Sequence, residues 1–244
     1  MKQSIFRSIL RSKKKGKKLF SVLVDPDKFY PAVIRAVAAA KVDFIFIGGS
    51  RVKKGNFHRC VAGIRAITKI PLVIFPGSRE QISEKADAIL LLSLISGRNP
   101  DYLIGEHIRA ARQLKRSGLE IIPTGYILIG GGKKISAQAV TRTSPIGSSD
   151  KKSASSTAIA GELLGMKMIY LEAGSGTKKV LSPALVKEVV KNVSAPVIAG
   201  GGIDSPQKAA ALCRSGADMI VVGNAIEKDV KLVTQIAKAI RSFK

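Results

Sequence analysis

The chain has 244 residues, 45% hydrophobic and 24% charged, which is long enough for a large core and excludes general disorder. Lys and Arg number 41 against 17 Asp and Glu, giving a net charge of +24 that attracts polyanions; yet aromatics are 5%, Trp is absent and no zinc-finger or RNP pattern occurs, so no specific nucleic-acid partner is indicated. The longest near-apolar runs, such as Ala88–Ile95, fall far short of the roughly 18 residues a membrane span needs, and two Cys with two His exclude a disulfide framework and a Cys/His zinc site.

In chain order, Met1–Lys18 lacks the apolar core of a secretory signal and reads as mature protein, so a reduced cytoplasm is expected. Residues 1–60 hold 15 basic and 3 acidic side chains, half of the whole excess, and six of the eight positions in Arg11–Lys18 are basic. A solvated lysine surface accounts for this charge, as does transient contact with an acidic membrane surface. Short runs apolar on both faces then recur, as parallel strands covered by helices require. They are Leu19–Val24, Phe44–Ile47, Leu72–Phe75, Ala88–Leu92, Glu120–Ile122, Met168–Leu171, Pro196–Ala199 and Met219–Val222. Helical patterns alternate with them at Pro31–Ala40, Phe57–Thr68, Tyr102–Ser117, Ser155–Leu164, Pro183–Val193, Pro206–Ser215 and Lys231–Ser242. Ser182-Pro183 and Ser205-Pro206 each place a capping hydroxyl before a proline at the first helical position.

Eight strands alternating with helices point to an α/β fold: a single (β/α)8 TIM barrel over residues 1–244, with an open doubly wound sheet as the competing arrangement. Only twelve residues, Pro76 to Asp87, separate the third strand from the fourth, so the third helix is expected to be stunted or missing. Lys133–Ser153, rich in Gly, Ser and Lys, reads as a mobile loop over one end of the barrel.

The residues with chemical potential fall at the carboxyl ends of these strands. Gly200-Gly201-Gly202 follows the seventh strand and Gly223-Asn224 the eighth, where glycine turns and a helix N-terminus make a phosphate site. Glu172 ends the sixth strand beside Gly174-Ser175-Gly176 and is placed to orient or deprotonate a substrate hydroxyl, or else to brace the loop. Asp25-Pro26-Asp27 and Ser50, after the first and second strands, offer a carboxylate and a hydroxyl that suit Mg²⁺, although Asp-Pro-Asp is also a common turn. Tyr126 brings a phenol to the same opening; His58 and His107 read as surface or packing residues, and Cys60 and Cys213 as buried and inert.

Several segments together resemble the geranylgeranylglyceryl phosphate synthase family, which includes bacterial heptaprenylglyceryl phosphate synthases. They are VDPDK (24–28), FIGGS (46–50), FPGS (75–78), the long run 86–105, PTGYILI (123–129), AGELLGMKMIYLEAGSG (160–176), AGGGI (199–203) and VVGNAI (221–226). The resemblance implies a modified barrel with its third helix replaced. It also implies transfer of a polyprenyl group, geranylgeranyl first among them, from its diphosphate to the C3 hydroxyl of sn-glycerol 1-phosphate with Mg²⁺. On that basis Asp25 and Ser50 would be the metal positions. Tyr170, Leu171, Glu172, Ala173, Gly174, Ser175, Gly176, Gly201, Gly202, Gly223 and Asn224 would form the glycerol phosphate site. Glu172 and Tyr126 would be catalytic, Tyr126 by stabilising an allylic cation, and the tail would lie along a groove across the barrel top. A homo-oligomer, dimer or hexamer, is also implied. The serine- and lysine-rich stretch Thr141–Ser156 departs from the family pattern. A sugar-phosphate isomerase or aldolase would share the phosphate turns, and a basic nucleic-acid-binding barrel would explain the charge; neither explains YLEAGSG.

Overall fold

The computed structural model describes residues 4–50, 52–53, 56–130, 140–174, 177 and 179–243. Among the described residues nine strands form: β1 (Leu19–Val24), β2 (Phe44–Ile47), β3 (Leu72–Ile74), β4 (Ala88–Leu94), β5 (Glu120–Gly130), β6 (Ile146–Gly147), β7 (Met168–Glu172), β8 (Val197–Gly200) and β9 (Met219–Val222). Eight of them close into a parallel ring, β1-β2-β3-β4-β5-β7-β8-β9, and β9 pairs back onto β1. β6 lies outside the ring and extends the far end of β5 by two residue pairs. The helices are α1 (Ser4–Lys14), α2 (Pro31–Ala39), α3 (Asn56–Ile67), α4 (Glu106–Arg116), α5 (Lys151–Leu163), α6 (Pro183–Asn192), α7 (Pro206–Arg214), α8 (Asn224–Lys228) and α9 (Leu232–Arg241).

Strand alternation divides the apolar residues into two cores. Leu19, Phe44, Phe46, Leu90, Ile122, Met168, Tyr170 and Met219 fill the barrel interior together with Ile5 and Ile9 of α1. The opposite strand faces, with Phe20, Ile45, Ile89, Ile169, Leu171 and Ala199 among them, pack against the outer helices. Cys60 and Cys213 are free and buried in this outer layer, and burial pushes both thiols up to about 12, which leaves them inert. Among the described residues no helix is long and apolar enough to cross a membrane.

No helix forms between β3 and β4, as the short connection predicts. Four features differ from the sequence expectation. α1 was not expected; its first turn is held because the buried Glu120 carboxylate accepts the N–H groups of Ile5 and Phe6 at 2.7 and 2.8 Å. β5 runs eleven residues instead of three, straight through Pro123 and Gly125. Its Gly125 is needed because Ile95 and Ile169 side chains occupy the space of a Cβ. α5 begins at Lys151, capped by Asp150, whose carboxylate accepts the N–H of Ser153 at 2.9 Å. The expected loop 133–153 is therefore ordered at its end, with Lys133 to Ala139 outside the described residues. Finally, Ser205 caps α7 by accepting the Lys208 N–H, whereas Ser182 makes no side-chain cap to α6.

Candidate active site

Parallel pairing aligns the strand ends, so the residues singled out in the sequence converge on one mouth of the barrel. Register places Tyr126 beside Tyr170, and Glu172 between Leu128 and Gly200. Tyr170 and Glu172 face the interior; Leu171 between them points into the helix layer and offers the mouth only its backbone. Ser175 and Gly176 lie outside the described residues.

Glu172 is 7% exposed, and its Oε1 accepts the Gly174 N–H at 2.6 Å. Burial pushes its carboxyl up to about 7, against the Gly174 N–H and the neighbouring Tyr170 phenol, which favour the anion. The turn after β8 packs directly on this group. Gly201 and Gly202 take φ of +85° and +70°, a region that side chains disfavour. A Cβ on Gly201 would come within 2.5 Å of Glu172 Oε1 and 2.7 Å of the Gly174 nitrogen, while one on Gly202 would overlap the Lys179 carbonyl. Lys208 braces the same turn, with its Nζ 2.8 Å from Asp204 and 3.4 Å from the Gly202 carbonyl. Gly223 then leads into α8, whose first residue is Asn224. These turns expose backbone N–H groups of the kind that bind an anion.

Next to Glu172 stands an aromatic group. Phe75, Tyr126 and Tyr170 meet pairwise with ring centroids 5.2–5.8 Å apart. Burial, with the Glu172 charge adding to it, holds both phenols well above their usual range, so they stay neutral. Tyr170 Oη is fully buried and has no hydrogen-bond partner among the described residues. Phe75 escaped the sequence reading as a site residue, although FPGS (75–78) carried the signal.

A cleft opens along β4, beside the segment where the third helix is missing. It encloses about 890 Å³, part of it open to solvent, and lies between β4, the 75–82 segment and α4. Its walls are mostly apolar, including Ile82, Ile89, Leu91, Ala110 and Leu114, and its mouth reaches Ser50, Gly77 and Tyr126. His107 lines it and bonds the Leu92 carbonyl at 2.9 Å, which gives this residue a packing role as read from the sequence.

Asp25 lies past the end of β1, three strands around the ring from Glu172 at the end of β7. Its carboxylate accepts the Asp27 N–H at 3.0 Å and sits 3.6 Å from Lys28 Nζ, which also pairs with Glu227 at 3.0 Å. Among the described residues no three His, Cys, Asp or Glu side chains gather as a metal cage. Asp25 and Ser50 carry the hard oxygen donors that Mg²⁺ accepts beside phosphates and water; Asp25 lines a small cleft with Lys28, Gly223 and Glu227, and Ser50 lines the apolar one.

Known proteins match this architecture over almost its full length. The chain is 48% identical to the geranylgeranylglyceryl phosphate synthase of Chitinophaga pinensis, covering 99% of this chain and 98% of that one. It is 45% identical to the enzyme of the same name from Spirosoma linguale, with 97% of each chain covered. Among solved structures, (S)-3-O-geranylgeranylglyceryl phosphate synthase from Thermoplasma acidophilum, crystallised with its substrate sn-glycerol-1-phosphate, superposes with a TM-score of 0.93 at 32% identity, covering 99% of this chain and all of that one. The sequence pattern of the PcrB family matches residues 11–241, and the chain belongs to that family.

Proposed function

We propose that this prenyltransferase joins the C3 hydroxyl of sn-glycerol 1-phosphate to a polyprenyl diphosphate, geranylgeranyl diphosphate first, and depends on Mg²⁺. The observation that supports the reading is an apolar cleft that reaches Phe75 and Tyr126, whose rings pack on Tyr170 beside Glu172 and its glycine turns. An isomerase or aldolase acting on a small sugar phosphate would leave that cleft without a use.

The Gly201-Gly202 and Gly223-Asn224 turns hold the glycerol phosphate, and this directs its free hydroxyls toward Glu172. The cleft takes the polyprenyl tail, at about 0.8 kcal/mol for each methylene withdrawn from water. In the transfer, the glycerol C3 oxygen forms a bond to C1 of the prenyl group. The C1–O bond to diphosphate breaks, its electron pair leaves with diphosphate, and the hydroxyl proton goes to the Glu172 carboxylate. The neutral faces of Tyr126, Phe75 and Tyr170 shelter the allylic cation character that develops at C1. Asp25 and Ser50 would hold Mg²⁺, which, when bound, neutralises charge on the departing diphosphate. The same reading has the enzyme acting in the cytoplasm as a homo-oligomer, dimer or hexamer, and exposed Ile108, Leu163 and Leu164 supply apolar surface for such contacts. Its basic surface would meet acidic lipid headgroups transiently, where product leaves.

Two titrations test this reading. By calorimetry, sn-glycerol 1-phosphate should bind in the presence of an unreactive thio-analogue of geranylgeranyl diphosphate; mutually exclusive binding would overturn the two-substrate mouth. Turnover should vanish in EDTA and return with Mg²⁺, and Asp25→Asn should lower it at least about 100-fold with the fold intact. Equal rates with and without the metal would remove Asp25 and Ser50 from the assignment.

A further inference from the structure

Gln81 is a polar side chain only 3% exposed, in the helix-free segment between β3 and β4. Its Oε1 accepts the N–H of Gly49 at 3.3 Å and of Gly77 at 3.2 Å, while its Nε2 donates to the Gly49 carbonyl at 2.8 Å. One carboxamide thus ties the loop after β2 to the loop after β3. These loops touch backbone to backbone: a Cβ on Gly48, where φ is +153°, would overlap the Phe75 carbonyl, and a Cβ on Gly77 would overlap the Gly49 carbonyl. Gly49 immediately precedes Ser50, and Gly77 follows Phe75 and Pro76 at the mouth of the apolar cleft. In most barrels a third helix would pack against these loops; here that support is missing.

We propose that Gln81 is a positioning residue for prenyl transfer, one that clamps Ser50 and Phe75 at the junction between the diphosphate position and the tail cleft. The proposal rests on the prenyl-transfer reading above. A carboxamide suits the task because it accepts and donates at once. Glutamate of the same shape keeps the two accepted bonds but, when ionised, sets an anion against the Gly49 carbonyl. Alanine removes all three bonds and leaves the half-buried Gly49 and Gly77 backbone groups without them. Gln81 touches none of the residues assigned to glycerol phosphate, so its loss acts on one substrate.

The test compares the full chain with Gln81→Ala and Gln81→Glu, measuring kcat, the KM of each substrate, melting temperature and amide exchange. In Gln81→Ala, KM for geranylgeranyl diphosphate should rise and kcat fall, each by roughly tenfold, as expected when reacting groups lose alignment. KM for sn-glycerol 1-phosphate should stay near that of the parent, the Gly49 and Gly77 amides should exchange faster, and Gln81→Glu should fall between the two. A lowered melting temperature with both KM values moving together would show a merely structural residue and overturn the proposal, as would unchanged kinetics with faster exchange. If the parent itself forms no prenylated product, the functional reading fails by that result alone. The clamp is then judged by calorimetric binding of geranylgeranyl diphosphate, which Gln81→Ala should weaken; unchanged binding would overturn it.

Discussion

Glu172 stands where burial favours the protonated acid and the proposed chemistry needs the carboxylate. With its carboxyl pushed up to about 7, kcat/KM should rise with pH through that value and level off above it. A flat profile between pH 6 and 8 would remove Glu172 as the base. Glu172→Gln keeps size and the acceptor for Gly174 but removes the basicity, so turnover should fall at least about 100-fold. Its stability carries the opposite sign. The folded state holds the proton more tightly than the unfolded chain, so stability is full below the ordinary value of 4.5 and is lost as pH rises toward about 7. Urea titrations should therefore find Glu172→Gln more stable than the parent at pH 8 and no more stable at pH 4.5.

At the level of elements, two single residues hold distant segments in place. Glu120 reaches from the start of β5 to cap α1, more than a hundred residues earlier in the chain, and seats Ile5 and Ile9 in the barrel floor. Glu120→Ala should cost about 2–3 kcal/mol in urea unfolding, the cost of orphaning one buried and one half-buried N–H group; a change within experimental error would mean that water replaces the cap. Gly202, in the turn after β8, packs against the 179–180 backbone, so Gly202→Val meets the Lys179 carbonyl before it meets any ligand. The strain, of about 1–3 kcal/mol, should weaken sn-glycerol 1-phosphate binding roughly tenfold or more and affect geranylgeranyl diphosphate less; calorimetry giving the reverse order would move the phosphate elsewhere. The sequence was most legible where local chemistry decides the structure. Gly201-Gly202, Gly223-Asn224 and Glu172 were readable because each stands at the end of an apolar run. α1 was not, because its cap comes from Glu120 and a short basic segment carries only two buried apolar positions to announce it. β5 was read too short because Pro123 and Gly125 look like breakers, although Gly125 is there to admit the Ile95 and Ile169 side chains. Gln81 left no signal: its role exists only once two glycine loops have been brought together.

Over the whole molecule, the excess of positive charge proves partly architectural. Lys13 and Lys18 reach Asp218 at 3.0 and 4.0 Å, and Lys17 reaches Asp43 at 2.8 Å, so part of the basic run pins α1 and its following turn to the barrel floor. Being half-exposed, the Lys17 pair adds little energy; its value is in fixing where the segment lies. The opposite end of the barrel is where the proposed chemistry sits, and the apolar cleft beside the helix-free segment is what that proposal assigns to the polyprenyl tail. The account therefore depends on whether phosphate pocket and cleft serve one reaction. The most direct measurement is mass spectrometry of the product formed from sn-glycerol 1-phosphate and geranylgeranyl diphosphate with saturating Mg²⁺, with diphosphate release followed in the same vessel. The account predicts an ether-linked geranylgeranylglyceryl phosphate and one diphosphate released for each product molecule. Release of diphosphate with geranylgeraniol as the only organic product, or return of both substrates unchanged, would contradict it.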